Sequence, residues 1–182
     1  MRVTRAWLHL GRGRSKPIAV SVVVATVVVM AGLAAPATAD ESSAGDAGLR
    51  AVQAFTARYQ SETAAIADGF TPTDECVPAM GYHYVDFSRV DTNLEPSRPE
   101  AVLYVSAPGG GRQLAAAEWL VVDADQDLAT DDDRPTLFGH PFDGPMPGHA
   151  PGMPIHYDLH AYAWVENPDG GFATWNPAIS CP

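Results

Sequence analysis

The first 39 residues decide where the rest of this chain has to fold. Arg2, Arg5, Arg12, Arg14 and Lys16 make a basic start, and an apolar run rich in Val and Ala follows from Ile18 to Ala35. Ala37-Thr38-Ala39 closes it with small residues. Basic, then apolar, then small is the order of a secretory signal peptide, cut where the peptidase pocket accepts only small side chains. The expected cut falls before Asp40. No cysteine stands at that junction, which excludes a lipoprotein anchor. An uncleaved span is the alternative, because the run approaches the roughly 20 residues that cross a bilayer. Cleavage gives a signal peptide over 1–39 and a single secreted, extracellular domain over 40–182, with no membrane tie afterwards.

That domain is strongly acidic. All 22 acidic residues lie after position 39, against six arginines and no lysine, for a net charge of −16. A surface so negative repels nucleic acid and anionic lipid. The partners it suits are a metal ion or a small molecule, and solubility alone also accounts for the charge. Two cysteines, Cys76 and Cys181, fall in the exported part. An even count in an oxidising compartment predicts one disulfide, fastening the chain's end to the segment after the first helix.

Apolar residues at helical intervals (Leu49, Val52, Phe55, Tyr59, Ile66) predict one helix over 46–68, with Ser43 and Asp46 as a capping pair and Gly69 as its stop. Strand-like stretches follow at 79–87, 101–107, 113–122 and 155–165. The second and third are joined through Pro108-Gly109-Gly110-Gly111 as a hairpin. Asn167-Pro-Asp-Gly-Gly171 predicts a further hairpin into 172–175. Residues 123–154, first acidic and then proline-rich, read as a long irregular loop, a feature that is usually functional or disordered. The fold class expected is α+β, a mainly antiparallel β sheet or flattened barrel with one N-terminal helix and a long Pro-rich loop. Trp119, Trp164 and Trp175 read as core residues.

Five histidines follow position 39: His83, His140, His149, His156 and His160, the last four within a short segment that also holds Met146 and Met153. Imidazole suits zinc, copper and iron, and thioether sulfur adds a bias to Cu(I). On a strand, His156, Asp158, His160, Tyr162 and Trp164 share a face. His156 and His160 then lie about 13 Å apart, too far to share an ion. Asp158 and His160 fit one site. His83 points away from its flanking tyrosines, and Glu118 sits on an otherwise apolar face with Leu114, Leu120 and Val122. A carboxylate there needs a cation or a hydrogen-bonding partner. His83, Glu118 and His160 are therefore the expected metal ligands, the two-His, one-carboxylate composition of non-haem iron and catalytic zinc sites. A structural Glu paired with His or Arg is the competing explanation.

Weaker signals surround this one. Asp123-Ala-Asp125-Gln-Asp127 opens like an EF-hand loop, but Leu128 replaces the sixth-position glycine and Arg134 the twelfth-position glutamate, so calcium is the less favoured ion. Ser88, Ser97, Ser106 and Ser180 lack a nucleophile's surroundings. A Glu118/Asp158 pair could serve acid–base hydrolysis, with no spacing fixed by sequence.

Met80-Gly-Tyr-His-Tyr-Val85, Asp123-Ala-Asp-Gln-Asp-Leu128, Met153-Pro-Ile-His-Tyr-Asp-Leu-His160 and Trp175-Asn-Pro177 together resemble a group of uncharacterised secreted bacterial proteins. The likeness spans nearly all of 40–182 and implies no activity, ligand set or mechanism. The functional expectation thus rests on the residues: a secreted metal-binding domain holding copper, zinc or iron, acting as carrier or enzyme. The alternative is a metal-free extracellular binding or structural domain.

Overall fold

In the computed structural model, residues 39–182 are described, with side chains from Ser43 onward. The expected signal peptide, apart from Ala39, lies outside the described residues. Among those described, no helix is long and apolar enough to cross a membrane.

The single helix expected over 46–68 is three pieces. Helix α1 runs Ala39–Thr56, beginning upstream of Ser43, a 3-10 turn covers Ala57–Gln60, and helix α2 spans Glu62–Ala67. The break is local chemistry. Ser61 is extended (φ −91°, ψ 109°), and its side chain accepts the Ala64 N–H, so it caps a new helix rather than continuing the old one. Restarting the helix resets its phase. Tyr59 stays in the core at 3% exposure, whereas Ile66, expected on the same stripe, is 49% exposed.

Six strands make one antiparallel sheet: β1 (Thr71–Val77), β2 (Gly81–Val85), β3 (Ala101–Ser106), β4 (Arg112–Val122), β7 (Asp143–Met146) and β8 (His156–Ala161). Their order is β1-β2-β3-β4-β8-β7, an open sheet rather than a barrel. A separate two-stranded piece pairs β5 (Thr136–Leu137) with β6 (His140–Pro141). The stretch 123–154 is thus partly structured: it builds this small ribbon and then the β7 edge before the chain inserts β8 between β4 and β7. Phe172–Trp175 forms no strand. Its turn is present (Gly170 N–H to Asn167 O, 3.0 Å), but the chain beyond is held by the Asn167 side chain, which donates to the Trp175 carbonyl at 3.0 Å.

Both faces of the sheet's centre are covered, so β4 is buried from Leu114 to Val121 and β8 throughout. On one face, Val52 of α1 packs with Trp119, Phe142, Tyr157 and Leu159. On the other, Met80, Leu103, Ala116, Tyr162 and Ile179 cluster beside Val85, Ala101 and Leu120. A bulge divides β4. Leu103 pairs with Ala116 but Tyr104 pairs with Leu114, so two β4 residues oppose one on β3. The extra residue reverses the alternation, and Leu114 packs with Tyr59, Phe70, Tyr84 and Tyr104 on the helix side, away from Glu118. Trp164 also leaves the face expected for it, because β8 ends at Ala161; its indole N–H donates to Thr56 Oγ1 at 2.9 Å. Trp119 is fully buried, but Trp175 is 55% exposed and is no core residue. The Cys76–Cys181 disulfide is formed, tying edge strand β1 to the chain's end.

Candidate metal centre

Three strands bring the site together. His83 lies on β2 opposite Leu103, while Glu118 on β4 faces Ala101 on one side and His160 of β8 on the other. Glu118 and His160 are direct cross-strand neighbours. His83 lies two strand spacings from Glu118, across β3, and two residues along, at roughly 12 Å between backbones. The two meet on the diagonal across β3, where Ala101 opposite Glu118 is small and Leu103 lies opposite His83. Gly81 helps set the approach of β2: its φ is +103°, and a Cβ there would stand 2.3 Å from the Tyr104 carbonyl oxygen.

His83 Nε2 is 3.6 Å from Glu118 Oε2, and His160 Nε2 is 3.7 Å from Glu118 Oε1. The three residues each offer a ligand atom, all within 4.8 Å of one another, and they form the one such group among the described residues. Two ligands about 2.1 Å from a tetrahedral ion stand roughly 3.4 Å apart, so each Glu118–histidine distance, one to each carboxylate oxygen, is of the size an ion needs, while the set as a whole spans up to 4.8 Å and would draw in around it. The spacing does not suit direct hydrogen bonding. Glu118 Oε2 and both ring nitrogens of His160 are buried without a hydrogen-bond partner. The structural Glu–His pairing that competes with a metal site would have closed these gaps.

Electrostatics agree with the geometry. Burial pushes the Glu118 carboxyl well above the usual range, and the nearby Asp158 and Glu100 push it further. Burial lowers His160 to about 3, with His83 and His149 adding to it, and lowers His83 to about 4 with help from His149. Without a cation all three groups are driven to their neutral forms. A divalent ion would stabilise the carboxylate and use the neutral imidazole lone pairs.

Asp158 stands behind His160, its Oδ1 3.9 Å from His160 Nδ1, and burial raises its carboxyl to about 7, with Asp143 contributing. The remaining histidines separate. His156, fully buried, lies 3.2 Å from the Pro154 carbonyl through Nδ1 and leaves Nε2 without a partner. Its ring meets that of His149 at 4.9 Å. His140 is stacked on Phe172 at 4.2 Å, on the small ribbon rather than at the centre.

Above the centre is a cavity of about 380 Å³, bordered by His83 and Glu118, by Thr73 and Glu75 of β1, and by the loop residues His149 and Met153. Sequence reasoning missed the β1 contribution. That strand carries Pro72 and a left-handed Asp74 (φ 61°), with a register shift between Pro72 and Cys76, and so lacks the alternation that identifies a strand. It also missed Glu100, which is 2% exposed and accepts the Leu120 N–H at 3.0 Å, where β4 runs on past the start of β3. A charged residue beside a proline carries no signal for that role. In the acidic loop, Asp123 is buried with Oδ1 unpartnered, while Asp125 and Asp133 are engaged by Thr130, Ala124 and Tyr157. No protein-family model matches the chain, and no curated protein or solved structure matches it either.

Proposed function

We propose that this protein is an exported metal-binding domain in which His83, Glu118 and His160 hold one transition-metal ion, through Nε2 of both histidines and the Glu118 carboxylate. The observation that carries the reading is the convergence of a half-buried His83 with the buried Glu118 and His160 from β2, β4 and β8, none hydrogen-bonded to another. Asp158 stands on the Nδ1 side of His160, its Oδ1 3.9 Å away and unbonded, a small shift short of the position from which acidic residues commonly support metal-bound histidines. Two imidazoles and one carboxylate suit zinc or non-haem iron, and copper is the third metal to test. Export is supported by the disulfide, which belongs to an oxidising compartment, together with the basic, apolar and small-residue order of 1–39.

Three protein ligands leave a coordination position free, and the cavity borders two of them, His83 and Glu118. When bound, the ion supplies Lewis acidity toward an oxygen or a water there. Carrier and metalloenzyme are both compatible with that arrangement. The test is elemental analysis of untagged protein from an oxidising compartment, followed by titration with zinc, iron(II) and copper beside His160→Ala. Near-stoichiometric uptake that the substitution abolishes, with the fold retained, supports the proposal. No uptake of any of the three overturns it.

A further inference from the structure

Resting on the metal reading above, the cavity itself says what would occupy it. At about 380 Å³ it falls at the small end of the range of roughly 300 to 1,000 Å³ found for small-molecule sites. Its walls are Val77, Met80, Val85, Leu120 and Met153, apolar side chains from β1, the turn after it, β2, β4 and the loop before β8. Its polar edge is sparse, with Thr73, Glu75 and His149, and neither lysine nor arginine borders it. Such walls give a sugar or peptide few groups to bond.

Charge narrows the choice further. Counted over its three ligands, a divalent ion with two neutral imidazoles and one carboxylate keeps one net positive charge facing the cavity, Asp158 lying away from it on the Nδ1 side of His160. One anionic donor cancels it. A second negative charge would meet apolar wall and the Glu75 carboxylate, and a neutral ligand would leave the charge uncompensated. We propose that the cavity binds a small monoanionic molecule with an apolar body, its single anionic oxygen group on the metal and its hydrocarbon part against Val85, Leu120 and Met153.

The experiment uses the protein loaded with cobalt(II), whose visible spectrum reports the donor set, titrated with acetate, benzoate, phthalate and benzyl alcohol. Benzoate is expected to perturb the spectrum and to bind at least about tenfold tighter than acetate, the equivalent of a modest apolar burial. Phthalate, with two charges, and benzyl alcohol, with none, are expected to bind more weakly than benzoate. Met153→Ser is expected to shrink the benzoate-to-acetate ratio severalfold. Failure to take up any of cobalt, zinc, iron(II) and copper would sink the metal reading itself. Uptake of cobalt with equal affinity for acetate and benzoate, a ratio unmoved by Met153→Ser, or benzoate binding equally to metal-free protein would leave that reading standing and overturn this one.

Discussion

Glu118 and His160 face each other directly across the two central strands, Oε1 to Nε2 at 3.7 Å, with both side chains under 4% exposed and no hydrogen bond between them. That pairing is costly for an empty site. A buried carboxyl and a buried imidazole at contact distance would ordinarily share a proton or hold each other in an ion pair. Here the sheet's register keeps them slightly too far apart for a bond and about right for an ion between them.

Glu118→Gln separates these functions. The amide keeps the shape but not the charge, so metal affinity is expected to fall by more than about a hundredfold. Metal-free stability should change by only about 1 kcal/mol, because the wild-type carboxyl is already driven to its neutral form. Wild-type protein at a free zinc concentration 100 times the Kd should gain about 2.7 kcal/mol, and the variant almost none. Calorimetry with and without zinc reads both. A metal-independent loss of 3 kcal/mol or more in the variant would instead mark Glu118 as half of a structural ion pair.

Glu100, outside the ligand set though its charge acts on Glu118, gives a pH dependence that a single substitution isolates. Burial raises its carboxyl from 4.5 to about 7, opposed by the Leu120 N–H it accepts. A raised folded-state value means that the contribution is complete below the unfolded value and is lost as pH rises through the folded one. Metal-free protein should therefore lose up to about 3 kcal/mol from this group between pH 4.5 and 7. Glu100→Gln retains an acceptor for Leu120 and should flatten that part of the profile. Urea denaturation of both proteins across this range is the measurement, and parallel profiles would refute the assignment.

The grouping of His83, Glu118 and His160 is legible in sequence where strand alternation is regular. His83 between two inward-turned tyrosines and Glu118 among alanines and leucines both announced a polar residue on a buried face. His160 followed from the same rule on β8. What alternation could not show was the bulge beside Ala115, which moved Leu114 to the helix side without any turn residue to mark it. Ser61 hid a helix restart for a similar reason: a capping serine inside a periodic stretch looks like an ordinary exposed position. Strand β7, with its Gly144-Pro145, and β1, with its Pro72, were masked by residues that depress strand propensity but are tolerated near sheet edges. His149 sits over the cavity because the loop folds back, a long-range event that local spacing does not encode.

Reducing the disulfide should loosen the site from its rim. Cys76 is on edge strand β1 and its bond to Cys181 closes a 105-residue separation, for which chain-entropy arguments give about 4.7 kcal/mol. Cys76→Ser/Cys181→Ser is expected to lose most of that in chemical denaturation. Hydrogen exchange should rise first in β1, which supplies Thr73 and Glu75 to the cavity. Equal exchange in β1 before and after substitution would show that pairing with β2 alone holds the rim.

The last tie to test joins the helix to the chain beyond β8. Thr56, fully buried at the end of α1, donates its hydroxyl to the Val52 carbonyl at 2.6 Å and accepts the Trp164 indole N–H at 2.9 Å. Thr56→Val keeps the volume but leaves the indole donor without an acceptor. An orphaned buried donor costs about 1 to 3 kcal/mol, against a smaller change if the hydroxyl served only the helix. A double-mutant cycle with Trp164→Phe resolves the two. If the hydrogen bond carries the effect, Thr56→Val costs much less in the Trp164→Phe background; additive losses would mean that Thr56 acts through α1 alone.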